Sequence, residues 1–135
     1  MRRGASPAGA IRRRHCLAVV ARELGFRGWP HAVQVLSGTG TTDAGTLLYP
    51  RRCGAHINIW CASYDQAKRI RARHGGFLLG YKHQYLVVDD DYMTTLGVDP
   101  DDPDLDMIGR DWVGPSDAVA RARLYGRVID ASIGL

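Results

Sequence analysis

Apolar positions along this chain follow two rhythms. Leu17, Val20, Ala21 and Leu24 recur at helical spacing and predict a helix from about Ala10 to Leu24. Gly25 follows as its left-handed stop, with Phe26 folding back on the helix end. Trp29 and Pro30 open a second short helix, whose apolar face continues through Val33 and Leu36 until Ser37-Gly38. Phe26 and Trp29 are expected to be buried between these two helices and a neighbouring element. "SGTGTTDAG" reads as a loop.

The rhythm then shortens. "GTLLYP" (45–50) reads as a strand stopped by Pro50, and "RRCGA" as a turn. From His56 to Ala62 the period is two, which predicts a strand with Ile57, Ile59 and Cys61 facing the core and His56, Asn58 and Trp60 on the other face. Ser63 and Gln66 form a capping box that opens a helix closed by Gly75. "FLLGYKHQYLVV" (77–88) is β-rich. Lys-His is poor material for a tight primed turn, so one bent strand or a wider loop is preferred over a tight hairpin.

Asp89 to Asp91 cap a short helix through Tyr92, Met93 and Leu96, stopped by Gly97. Asp102 and Pro103 start another as N-cap and N1. A last helix runs from Ser116 to about Ala131, with Val119, Leu124, Val128 and Ile129 inward. The expected fold class is α+β: two N-terminal helices, a small mainly antiparallel sheet crossed by one helix, and short C-terminal helices. One domain is expected over 1–135, with a flexible basic tail at 1–8 and a helical hairpin at 9–38. The sheet and a basic helix occupy 45–88, and an acidic helical part 89–135.

Composition changes this picture little; charge changes it more. An apolar fraction of 45% and a charged fraction of 24% belong to an ordinary globular chain of 135 residues. No apolar run reaches the roughly 18 residues of a membrane span, and the basic N-terminus lacks the apolar stretch of a secretory signal. Cys16, Cys53 and Cys61 are odd in number and irregularly spaced, so reduced thiols and a cytoplasmic setting are expected. The net charge of +4 conceals an asymmetry. Residues 1–88 carry fourteen bases against Glu23, Asp43 and Asp65, while 89–135 carry eleven acids against Arg110, Arg121, Arg123 and Arg127. The halves can neutralise each other within the fold or across a homodimer, or the basic half can meet a polyanion.

"RHCLAVVARELGFRGWPHAVQVL" resembles the helical module of bacterial glyoxalase-related proteins, in which a His-x-x-Ala-Leu helix precedes Gly-Phe-x-x-Trp and a second helix. His15, Ala18, Gly25, Phe26 and Trp29 sit at matching positions, with Val19 in place of the Leu. The resemblance covers residues 12–36, and the whole chain looks like a family of uncharacterised bacterial proteins. It implies a structural or docking element, and the later strand–helix–strand–strand order is similar to a glyoxalase half-module. In that superfamily a His near the start of the first strand is often a metal ligand, which points to His56. A Glu on a later strand normally completes such a site. Glu23, on the first helix, is the only Glu here, so Asp89 or Asp90 would have to substitute.

Read from the residues alone, the chain carries no catalytic motif. G-x-S-x-G, G-x-x-x-x-G-K-[ST] and G-x-G-x-x-G are all absent. Cys53, His56 and Cys61 do not converge on a regular strand, so no metal and no cofactor are assigned. Arg51, Arg52, Lys68, Arg69 and Arg73 gather on one turn and one helix, beside Trp60, Tyr64, Tyr81 and Tyr85. That is the mixture that phosphate contacts and base stacking require. The leading expectation is therefore a non-catalytic binding or regulatory module for a polyanion such as nucleic acid. The alternative is a glyoxalase-like metalloprotein or ligand-binding dimer around His56, Asn58, Trp60 and Tyr81.

Overall fold

The computed structural model describes residues 17–37 and 43–134. The expected tail at 1–8, the helix over 10–16 and the loop at 38–42 lie outside the described residues. The fold is α+β. Helix α1 (17–23) and helix α2 (Trp29–Ser37) precede a 3₁₀ turn at Arg51–Cys53. Then come β1 (Ile59–Cys61), α3 (Tyr64–His74), β2 (Phe77–Tyr81), β3 (Gln84–Val88), α4 (Asp90–Leu96), α5 (Pro103–Met107) and α6 (Ala118–Ser132). The strands form one antiparallel sheet in the order β1-β3-β2.

Helix ends follow local chemistry. Ser63 caps α3 by accepting from Gln66 N–H, Asp89 caps α4 through Tyr92 N–H, and Asp102 caps α5 with Pro103 behind it. Asp117 accepts from both Val119 and Ala120 N–H at the start of α6. Each such cap satisfies donors that the first helical turn leaves unpaired. Gly97 ends α4 at φ 107°, where a Cβ would also collide with Ala131 of α6.

The sheet separates two cores. Phe77, Leu79, Leu86 and Val88 point into the larger one, shared with Ala21, Phe26, Ala32, Val35, Met93, Leu105, Leu124 and Val128. Leu78 and Val87 face the other way, joining Cys61 and Ala67 beneath α3, with Ile70 packed against them. Alternation along each strand sets this division, and α3 crosses the sheet as the sequence predicts.

Several expectations are corrected. "GTLLYP" is a turn, not a strand, and it buries both Leu47 and Leu48. Its backbone instead closes α1, with Thr46 N–H donating to Gly25 O at 2.7 Å. The strand at 56–62 shrinks to Ile59–Cys61 because its partner runs out. Ile59 pairs with Val87, so Ile57 would have to face Asp89, which is already the α4 cap. Ile57 is consequently 98% exposed rather than in the core.

Residues 77–88 form a hairpin with Lys82-His83 as a two-residue turn, Tyr81 pairing with Gln84. Lys82 takes φ 51° despite its side chain. Two tertiary bonds hold it there: Lys82 N–H donates to Gly45 O, and Ala44 N–H donates to Lys82 O, both at 2.9 Å. Phe26 is buried as expected, but Trp29 is 42% exposed. His31 takes the inward position, its ring edge-on to Phe26 with centroids 5.6 Å apart. On α6 the inward series is Ala120, Leu124 and Val128, with Tyr125 beside it, and Val119 is 65% exposed one step out of phase.

Candidate ligand cleft

Two backbone bonds carry the chain along the outer edge of β2. Leu78 N–H donates to Arg110 O and Trp112 N–H donates to Leu78 O, each at 2.9 Å. Asp111, between them, turns the chain away. Its Oδ1 accepts from Val113 and Gly114 N–H, and its Oδ2 accepts from the Tyr64 hydroxyl. Burial and the Asp111 carboxylate together raise the Tyr64 pKa well above the ordinary phenol value. Trp112 is thereby wedged between the sheet and α6, edge-on to Tyr125 with ring centroids 5.4 Å apart.

A cleft of about 420 Å³ opens beside this wedge. Gln34 and Val35 of α2 form one wall, with Ala44 and Leu48 from the following turn. The hairpin contributes Gly80, Lys82, Gln84 and Tyr85, and the opposite wall is Trp112, Val113, Pro115, Ala118, Arg121 and Tyr125. Gly80 matters locally: a Cβ there would press on Ala44 Cβ at 3.1 Å and Val113 Cγ2 at 3.4 Å, crowding the hairpin against both walls. The volume falls within the range of small-molecule pockets, roughly 300–1,000 Å³, and the mixture of apolar wall and few polar groups is typical of them.

The polar groups are specific. Trp112 is only 2% exposed, and its buried indole Nε1–H makes no protein hydrogen bond. The Arg121 charge and, less strongly, the Trp112 indole N–H favour the phenolate of Tyr125. Burial dominates at Tyr125 and pushes its pKa up to about 12, so the hydroxyl remains a neutral donor and acceptor. Arg121 Nη1 donates to the Trp112 carbonyl at 3.1 Å, and the guanidinium lies 5.8 Å from the Tyr125 ring centroid. Lys82 and Arg121 are the charged residues of the lining, which includes no Asp or Glu.

The residues singled out from sequence lie elsewhere. Trp60 and Tyr81 do meet, with ring centroids 5.5 Å apart, and Tyr49 completes an edge-on cluster at 5.0 Å from Trp60 and 5.4 Å from Tyr81. His56 turns to α4 instead: its Nε2 is 2.8 Å from Thr95 Oγ1 and its ring is edge-on to Tyr92. The Asn58 amide is buried with neither its nitrogen nor its oxygen hydrogen-bonded. None of these four lines the cleft.

Among the basic residues, Lys68 and Arg69 line a shallow trough with Arg71, Asp65, Ala72 and Asp111. Arg73 is exposed further along α3, and Arg51 is exposed on the 3₁₀ turn. Arg52 clamps helix ends: Nε donates to Thr95 O, Nη2 to Leu96 O at 2.7 Å, and both Nη atoms reach Ser132 Oγ.

Cys53 and Cys61 are buried free thiols with pKa values raised chiefly by burial, the opposite of an activated nucleophile. Among the described residues, no three His, Cys, Asp or Glu side chains converge to hold a metal, and no helix is long and apolar enough to cross a membrane. No protein-family model, curated protein or solved structure matches the chain. The geometry alone therefore carries the functional reading. Trp112, Arg121 and Tyr125 were not singled out as site residues from the sequence, because they are joined only when "DWVGP" packs against α6.

Proposed function

We propose that this protein is a non-catalytic small-ligand-binding module whose site is the cleft between α2, the β2–β3 hairpin and α6. The observation that carries the reading is the cleft itself, about 420 Å³ walled by Val35, Leu48, Trp112 and Tyr125, with Lys82 and Arg121 and no carboxylate in its lining. A cytoplasmic setting fits the buried free thiols of Cys53 and Cys61. The reading is tested by a thermal-shift screen of aromatic fragments, each carrying a hydrogen-bond acceptor. Ala118→Trp, at the exposed mouth, fills the cleft and should abolish the shifts. Fragments that stabilise both proteins equally would place binding elsewhere.

A second reading has its own support. Every ion pair among the described residues joins partners from the same half of the chain, such as Arg123 with Asp104 and Lys68 with Asp65. The α3 cations Lys68, Arg69 and Arg71 are thus not paired with the acids of 89–135, and they suit a polyanion such as nucleic acid. Removing Arg69 and Arg73 together should weaken binding to DNA or RNA and flatten its salt dependence. An unchanged salt slope removes α3 from that surface.

A further inference from the structure

We infer that the ligand of the cleft is a flat amphipathic monoanion of the aryl carboxylate class, an inference that rests on the cleft being the binding site. The lining carries Lys82 and Arg121 and no carboxylate. The nearby acids are already engaged. Asp111 is held by two backbone N–H groups and the Tyr64 hydroxyl, and Asp117 by the first turn of α6. The cleft therefore presents positive charge within low-dielectric walls, where an anion is attracted more strongly than at an open surface.

Arg121 sets the headgroup. Its Nη1 is fixed on the Trp112 carbonyl, while Nε and Nη2 make no hydrogen bond to any described residue. A planar fork with free donors matches a carboxylate better than a compact ammonium would. The rest of the surface argues for a ring system rather than a highly charged ligand. Leu48, Val35, Val113 and the Tyr85, Trp112 and Tyr125 rings supply apolar area. Lys82 leans over the outer Tyr81 ring, 5.4 Å from its centroid, which leaves Arg121 as the cation fixed on the Trp112 carbonyl. A second buried negative charge would lack a partner, and such a charge is strongly unfavourable.

The test is isothermal titration of the full chain with two matched probes, 2-naphthoate and its neutral amide, 2-naphthamide. The inference predicts that the acid binds at least about tenfold more tightly than the amide, with the gap narrowing as salt rises. Arg121→Gln should remove most of the preference for the acid over the amide, whatever it does to the affinity of both. Equal affinity of the two probes for the unaltered protein overturns the monoanion class but leaves the cleft as a binding site. Failure of both probes to bind overturns the cleft reading as well.

Discussion

Arg121 donates Nη1 to the carbonyl of Trp112 at 3.1 Å, across nine positions of sequence. That bond ties the first turns of α6 to the segment that borders β2. It also fixes a cation on the wall of the cleft, 5.8 Å from the Tyr125 ring centroid. Neither residue belongs to a sequence motif, and their pairing follows from the two Asp caps that direct the chain on either side. Asp111 turns 112–114 inward, and Asp117 starts α6 where Arg121 reaches back.

The clamp made by Arg52 predicts a contrast between adjacent arginines. Arg52→Ala removes bonds to the last carbonyls of α4 and to Ser132 of α6, and should lower stability by roughly 1–3 kcal/mol. Arg51→Ala, on an exposed side chain, should stay within about 0.5 kcal/mol of the parent. Urea melts of the two variants check this, and equal midpoints would show that the clamp does not hold the helix ends.

A second contrast lies in the N-terminal helices. Phe26→Ala empties a site 4% exposed and packed on His31, so a loss on the order of 3–5 kcal/mol is expected. Trp29→Ala, at a half-exposed position, should cost below about 1 kcal/mol. Denaturant midpoints that rank the two variants in the opposite order would reverse the assignment of which aromatic holds these helices together.

Asp104 predicts an acid-dependent stability. Hydrogen bonds from Arg123 hold its pKa at about 2, below the ordinary 3.8, against the opposing effect of burial and with help from Arg127. Its folded pKa lies below the unfolded one, so the ionised form stabilises the fold. That contribution is complete above about pH 4 and is lost as the pH falls towards 2. Asp104→Asn should be less stable than the parent at neutral pH and show a flatter decline across that window. Parallel acid profiles for the two proteins would contradict the assignment.

Local signals carried the helix ends into the sequence reading: the capping box at Ser63, the Asp89 and Asp102 caps and the glycine stops at Gly25, Gly75 and Gly97 recur in the structure. What local pattern could not convey was tertiary competition. Gly25 O claims the Thr46 amide and unmakes a strand, Gly45 and Ala44 hold Lys82 in a turn its side chain disfavours, and the Asp89 cap cuts β1 short at Ile59. The candidate site suffered most, because period two over 56–62 grouped His56, Asn58 and Trp60 on one face. In the fold His56 turns to Thr95 while Trp60 packs on Tyr49. The cleft instead assembles residues from 34 to 125, a juxtaposition with no periodic trace.

The central claim is that the ligand sits in the cleft against Trp112, and the side-chain resonance of that residue reports it directly. In ¹⁵N-labelled protein titrated with 2-naphthoate, the indole signals of Trp29, Trp60 and Trp112 are separable by single Trp→Phe substitutions. The account predicts a saturable shift of the Trp112 Nε1–H signal, with the Trp29 and Trp60 signals unmoved. A Trp112 signal that stays in place while 2-naphthoate binds, or a shift confined to Trp60, would contradict it.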